Sequence, residues 1–213
     1  FLSFFIFFSG GLTAQKKGNL EIEFAHYVGE ERLKLDSVHY KNALEQDFTV
    51  TKFKYYISDI RLTRNDGFEY VSNNYFLVNE ENPQSKTLVL EKIPAGEYSE
   101  LRFTIGVDSL HNCSGAQSGA LDPINGMFWT WNTGYIFMKI EGFSNVSSAP
   151  GGIFEYHIGG FQFPNNNLRT VHLSLTKNIL VSKNSWEKLN LKTDILEIFK
   201  TPETIDISEI SAV

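Results

Sequence analysis

Alternation of apolar and polar residues is the feature of this sequence that most constrains its fold. The first segment with this pattern places Leu20, Ile22, Phe24, His26 and Val28 at every second position. A period of two puts these side chains on one face of an extended strand, with the residues between them on the other face. We therefore predict that the ordered part of the chain begins with a half-buried β-strand.

Similar segments follow along most of the chain, separated by turn signals such as Asn-Asp-Gly at 65–67 and Pro-Ala-Gly at 94–96. The predicted strands are 33–35, 48–62, 75–78, 87–90, 101–107, 134–143, 151–158 and 169–176. The 48–62 segment is long enough to bend or to break into two strands, and only 194–200 has a helical pattern. Many short strands with turns between them predict an all-β fold, an antiparallel β-sandwich with Greek-key-like connections and minimal helix.

The two ends of the chain carry separate signals. Residues 1–14 begin with FLSFFIFF and end in small residues, a pattern typical of the remnant of a signal peptide, with cleavage expected after Ala14. A buried first strand is the alternative interpretation. The apolar run is too short to span a bilayer, so we expect a periplasmic or secreted protein without stable membrane insertion. The domain is predicted over 19–213. The alternation at 204–208 is typical of a strand that is just beginning, so we expect the C-terminus to be truncated.

Composition and motifs exclude several classes of function. The net charge is −6 and no basic stripe is present, so a nucleic-acid partner is not expected. Cys113 is the single cysteine, which rules out an intramolecular disulfide. The sequence contains no nucleophile elbow, P-loop, HExxH motif or dinucleotide-binding glycine motif. We therefore expect a protein that is not an enzyme.

The segment 109–133 does not fit the strand pattern. It is rich in Gly, Ser, Asn and Asp, yet it carries Trp129 and Trp131. Long connections without secondary structure are uncommon and are often functional. The two tryptophans have the same parity and would share a face of an extended segment, where they could pack in a core or form a platform for stacking carbohydrate.

Two histidines are candidate ligands. His26 lies on the apolar face of the first strand, where an imidazole needs a hydrogen-bond partner or a metal, and a satisfied core histidine is the commoner outcome. His157 precedes Gly159 and Gly160, which allow another backbone or a bound group to approach closely. The remaining histidines lie on a polar strand face or in loop-like contexts: His172, His39 and His111.

Four stretches of the chain are more specific than any single motif. They are 53–58 (FKYYIS), 105–108 (IGVD), the run 119–135 that contains GALDP and GMFWTWNTGY, and 141–142 (EG) followed by 156–160 (YHIGG). Together they resemble the MbnP-like family of periplasmic copper-binding proteins. The resemblance extends over residues 19–200, nearly the whole of the predicted domain.

The resemblance implies a function and a set of ligands. Such proteins are similar to copper-binding surface and periplasmic proteins of methane-oxidising bacteria, in which a partner diheme enzyme related to cytochrome c peroxidases (MbnH-like) oxidises one tryptophan to kynurenine. Histidines and the kynurenine then hold copper, with no organic cofactor. The matching positions here are His26, His157 and one of Trp129 or Trp131. Met127 adds a soft thioether nearby, although a core methionine is the commoner role.

Two hypotheses follow from these residues. A copper-binding protein requires His26 and His157 to converge on one ion with a tryptophan close by. A non-catalytic glycan- or protein-binding β-sandwich module instead requires Trp129 and Trp131 to be exposed in a shallow groove away from histidine.

Overall fold

The computed structural model describes residues 15–129, 134–200 and 202–213, so the predicted signal segment lies outside the described residues. In these ranges the strands are β1 (Lys17–Val28), β2 (Glu31–Arg32), β3 (Tyr40–Lys41), β4 (Asp47–Arg64), β5 (Glu69–Ser72), β6 (Phe76–Asn79), β7 (Thr87–Pro94), β8 (Gly96–Ile105), β9 (Phe128–Trp129), β10 (Gly134–Phe143), β11 (Ile153–Gly159), β12 (Arg169–Val181) and β13 (Trp186–Asp194). The helical elements there are α1 (Ser109–Cys113) and short 3-10 helices at Pro83–Lys86, Gly119–Leu121, Pro123–Asn125, Pro150–Gly152 and Ile195–Phe199. The predicted all-β fold is confirmed.

The strands form two sheets. The larger has the order β11-β10-β4-β8-β12, with β3, β5 and β6 also paired to β4 and β9 paired to β10. The smaller has the order β13-β1-β2, with β7 also paired to β1. The ring of Phe24 on β1 lies 6.0 Å from that of Tyr55 on β4 and 5.8 Å from that of Phe103 on β8. These contacts show that the sheets pack face to face, as in a sandwich.

Burial along β1 follows the predicted period of two. The even-numbered residues from 18 to 28 are buried and the residues between them are partly exposed. The buried side chains face a core that contains Phe53, Tyr55, Ile60 and Leu62 of β4. Each Å² of apolar surface removed from water contributes about 25 cal/mol to the free energy of folding, so this shared core is the main source of stability.

Three local predictions need correction. β1 and β13 pair in parallel, so the sandwich is mixed, and the sequence pattern gave no strand at β13. Residues 204–206 have no regular structure and a turn begins at Ile207 in place of the predicted strand, although Glu155 and Ala212 make an isolated bridge farther on. The helical pattern at 194–200 corresponds to a single 3-10 helix, Ile195–Phe199, whose first turn is capped by the carboxylate of Asp194.

β4 is a single strand of 18 residues, and its pairing with the neighbouring strands contains irregularities that let it bend without breaking. The pairing registers shift beside Gly142 of β10 and between Ser58 and Arg61 of β4. Asp59 has a φ of +44° at the second shift. An extra residue in a strand reverses which parity faces the core. Ile57 and Ile60 therefore both lie in the core although they are three residues apart.

The described part of the long connection, residues 109–129, covers the outer face of the larger sheet, the face turned away from the smaller sheet. A second apolar cluster forms there from Tyr56, Val107, Leu121, Met127, Tyr135, Ile136 and Phe137. The Tyr56 hydroxyl donates to the carbonyl of Ala120 (3.1 Å), and the Tyr135 hydroxyl donates to that of Leu121 (2.8 Å). The connection is therefore packed and hydrogen-bonded onto the sheet.

Gly142 provides a test of the packing between β10 and β4. A Cβ atom at this position would lie 1.9 Å from the carbonyl oxygen of Thr49 and 2.6 Å from the ring of Phe154. Because the nearest atom belongs to the backbone, we expect Gly142→Ala to lower the free energy of unfolding by about 3 kcal/mol. Gly96→Ala is the control, since its nearest neighbours are atoms of the flexible Arg64 side chain. Equal midpoints of urea unfolding for the two variants would contradict this packing.

Candidate metal centre

His26 lies in the core between the two sheets, where both of its ring nitrogens have protein partners. The residue as a whole is 1% exposed. Nδ1 lies 2.5 Å from Oε2 of Glu80, and Nε2 lies 2.8 Å from the hydroxyl of Tyr55. Lys86 donates to the other carboxylate oxygen of Glu80 at 2.8 Å. The network links β1, β4 and the segment after β6, and it satisfies the imidazole as a core histidine requires.

The charges in this network are fixed by its surroundings. Burial opposes ionisation of Glu80, but the hydrogen bonds and charges of His26 and Lys86 outweigh it and lower the pKa of this carboxyl. Burial raises the pKa of Tyr55 well above its ordinary value, so the phenol stays protonated. The buried phenol and the ionised carboxylate thus contact the two ring nitrogens of His26.

His157 has a different environment, on β11 at the edge of the larger sheet. Its side chain is 23% exposed, and Nε2 lies 2.9 Å from Oε1 of Glu141 on β10. Lys52 donates to Oε2 of Glu141 at 2.6 Å, and Lys139 lies 3.6 Å from Oε1. Burial opposes ionisation of Glu141, but hydrogen bonds from Lys52 and His157 and the two lysine charges lower its pKa. Glu141 is therefore an anion held among cationic groups.

Glu155 completes a set of possible metal ligands with Glu141 and His157. One donor atom from each residue lies within 4.8 Å of the others. Glu141 is buried, His157 is half-buried and Glu155 is exposed, so the set opens towards solvent. It is the one such group of three His, Cys, Asp or Glu side chains in the part of the chain that the structure describes.

The structure does not bring His26 and His157 together. In the paired strands His157 is directly opposite Lys139, which is opposite Lys54. Residues paired in this way project from the same face of a sheet, and the neighbouring residue on each strand projects from the other. Tyr55, the partner of His26, therefore lies on the face opposite to His157. The expectation that both imidazoles converge on one ion is wrong for this reason.

Trp129 does lie on the same face as His157. A Cβ atom at Gly159 would lie 2.5 Å from the Trp129 ring. The indole therefore lies against the face of β11 to which a side chain at position 159 would point. His157 is two residues earlier on the same strand, about 7 Å away along it, and projects from that side too. The expectation that Gly159 permits a close approach is borne out by this contact.

The other predicted residues are placed as follows. Met127 is fully buried in the outer apolar cluster, which matches its role as a core methionine. Trp131 lies outside the described residues. Trp129 is half-buried against Gly159 and near His157, which does not fit the exposed groove far from histidine that the glycan-binding module requires. His172 is exposed on β12, as expected.

Sequence reasoning missed the two carboxylates beside His157. Glu141 and Glu155 are opposite each other in the β10–β11 pair. Each occupies an outward position of its strand, and that alternation is readable from the sequence. The register that pairs them depends on an irregularity between Ile136 and Met138, which the alternation does not reveal.

Comparison with known proteins places the chain in a family. The family model described as MbnP matches residues 17–212. The chain belongs to the MbnP family. The structure of MbnP from Methylosinus trichosporium is similar, with a TM-score of 0.55, 15% sequence identity, and coverage of 91% of this chain and 80% of that one. A comparison with curated proteins finds no match.

Membership of the MbnP family confirms the resemblance seen in the sequence, and the structural likeness confirms the fold. At 15% identity the likeness carries the arrangement of strands and does not carry individual ligands. Among the described residues, no helix has the length and apolar character needed to cross a membrane.

The lowered pKa of Glu80 predicts a pH-dependent contribution to stability. A folded-state pKa below the unfolded value contributes stability above the unfolded pKa, about 4.3, which is lost as the pH falls through the folded value. We expect Glu80→Gln to lower the free energy of unfolding by about 1–3 kcal/mol at pH 7. Urea unfolding below the folded pKa should show little difference from wild type.

The control for this experiment is Glu45→Gln. Glu45 forms an exposed ion pair with Lys41, which contributes little to stability. A deficit of Glu80→Gln that stays constant down to the acid limit would contradict the account of this network.

Proposed function

We propose that this protein is an exported, non-catalytic copper-binding protein, and that its site lies on the outer face of the larger sheet at His157 and Trp129. One observation carries the location: the Trp129 ring rests on Gly159, two residues from His157 on the same face. Membership of the MbnP family supports the class of function. The tryptophan and one histidine of the expected ligand set thus share one surface.

The donor atoms around His157 suit copper. Imidazole binds copper in either oxidation state, and the carboxylates of Glu141 and Glu155 add oxygen donors that favour Cu(II). Lys52 and Lys139 hold Glu141 ionised and place it beside the imidazole. A bound copper ion would supply the positive charge that the two lysines supply to this carboxylate. The partial exposure of His157 leaves a route for the ion to enter.

Oxidation of Trp129 would add the remaining ligand. A partner diheme peroxidase-like enzyme would use two molecules of hydrogen peroxide, which are reduced to two molecules of water. The bond between indole C2 and C3 breaks, each carbon gains one oxygen atom, and hydrolysis then releases C2 as formate. The product, kynurenine, carries a ketone and an aryl amine in place of an inert ring. Half-buried Trp129 lies beside an open depression lined also by Cys113 and Phe161, which gives a haem oxidant a path to the ring.

His26 has a structural role in this proposal. Both of its nitrogens are engaged inside the core, and the larger sheet lies between it and His157. The two positions that the family resemblance pairs as histidine ligands therefore separate into one ligand and one core residue.

Copper titration tests the location of the site. We expect His157→Ala to weaken copper binding by about 10-fold or more, because it removes the nitrogen donor. His172→Ala is the matched control, since His172 is an exposed histidine on another strand of the same sheet. His26→Ala should lower stability while the folded protein keeps its copper affinity. Wild-type affinity in His157→Ala, or selective loss in His26→Ala, would overturn the assignment.

Mass spectrometry of tryptic peptides tests the modification. After co-expression with an active diheme peroxidase-like partner, we expect the kynurenine mass change at Trp129, because this ring lies beside His157. Trp131→Phe should keep the change and Trp129→Phe should lose it. Modification confined to residue 131, or an unmodified protein in the presence of the active partner, would contradict the proposal.

A further inference from the structure

A second group of metal-ligating side chains lies away from the His157 face. Tyr75, between β5 and β6, meets Asp108 and His111 at the start of the long connection. The Tyr75 hydroxyl lies 2.8 Å from Nδ1 of His111 and forms a very short contact with Oδ2 of Asp108. Nδ1 of His111 lies 3.0 Å from the same Oδ2. One phenol oxygen, one carboxylate oxygen and one imidazole nitrogen thus converge on a single point.

The local fold aims these donors. The other carboxylate oxygen of Asp108 accepts from the backbone N–H of His111 at 3.1 Å and caps α1. That cap fixes the rotation of the carboxylate and leaves Oδ2 towards Tyr75. His111 follows three residues later, and its ring packs against that of Tyr75 with centroids 4.6 Å apart. In the described part of the chain, the Asp108 carboxylate has an ion pair with His111 and none with a lysine or arginine.

Two of the three donor separations match adjacent positions of a coordination octahedron, and the phenol oxygen and Oδ2, which are in closer contact, would have to move apart to hold an ion. With metal–ligand bonds of about 2.1 Å, donors in adjacent octahedral positions lie about 3 Å apart. The separations of Nδ1 from the phenol oxygen and from Oδ2 are of this size. The three residues also line an open depression, and the other residues that line it are Ser58, Asn73, Thr104, Leu168 and the ion pair of Asp59 and Arg61. The remaining positions of an ion would face water in this depression.

We propose that Tyr75, Asp108 and His111 form a second metal site and that it takes ferric iron. A facial set of imidazole and carboxylate with open positions is typical of non-haem iron. The common facial set in such sites has two imidazoles and one carboxylate. Here a phenolate would stand where the second imidazole does, and its negative charge and hard oxygen favour the trivalent ion. Binding would release the phenol proton and any proton on Nδ1 to solvent, as metal binding to protonated ligands requires. This site is independent of the copper site proposed at His157.

Visible absorption during titration with ferric nitrilotriacetate tests the site directly. A phenolate bound to Fe(III) gives a charge-transfer band, which a hydrogen-bonded triad without metal does not. We expect a band that saturates at one equivalent of iron in the wild-type protein and is lost in Tyr75→Phe, which keeps the ring and removes only the oxygen. His111→Gln should weaken iron binding by about 10-fold.

Two controls make the result specific. Tyr70→Phe removes a phenol that donates to the carbonyl of Glu91 outside this group, and should keep the band. His157→Ala should also keep it, which separates failure of this proposal from failure of the copper site. Absence of a saturable band in the wild type, or a full band in Tyr75→Phe, would overturn the proposal. If Tyr75→Phe does not fold, an undiminished iron affinity in His111→Gln would do so.

Discussion

Burial of β4 on both faces is the constraint on which the rest of this structure depends. One face packs against the smaller sheet through Phe53 and Tyr55, and the other places Tyr56 under the long connection. A strand in this position cannot leave polar groups unpaired, and β4 pairs with β10, β8, β3, β5 and β6 along its length. The hydrophobic effect and the backbone hydrogen bonds therefore favour the same arrangement.

The two-sided burial also separates two kinds of polar site. Between the sheets, His26 is enclosed by Tyr55 and Glu80, and its contacts link β1 to β4 and to the segment after β6. On the outer face, Glu141 and His157 are close to solvent and their charges are balanced by lysines. A low-dielectric interior makes an unpaired charge costly, whereas a partly exposed cluster can exchange a proton or a lysine for a metal ion. For this reason the proposed metal ligands are those on the outer face.

The long connection shows how a segment rich in turn formers becomes part of a site. Its apolar residues, Leu121 and Met127 among them, fill the space over Tyr56 and Tyr135, and this packing positions Trp129 on Gly159. Its first residues form α1 and bring Asp108 and His111 to Tyr75. Both proposed metal sites are thus built where this one segment meets the larger sheet.

The sequence by itself determined the β-rich class, the half-buried character of β1 and the family, because period-two alternation and a long specific motif depend only on local order. It also named His157 and Trp129 as candidate ligands, together with His26, Trp131 and Met127. Tertiary structure alone decided that β1 and β13 pair in parallel, that Glu141 and Glu155 flank His157, and that His26 lies across the sheet from it. Alternation predicts which face of a strand is buried, but it does not predict which strand pairs with it. Bulges such as the one at Asp59 then reverse that side without any change in the local pattern.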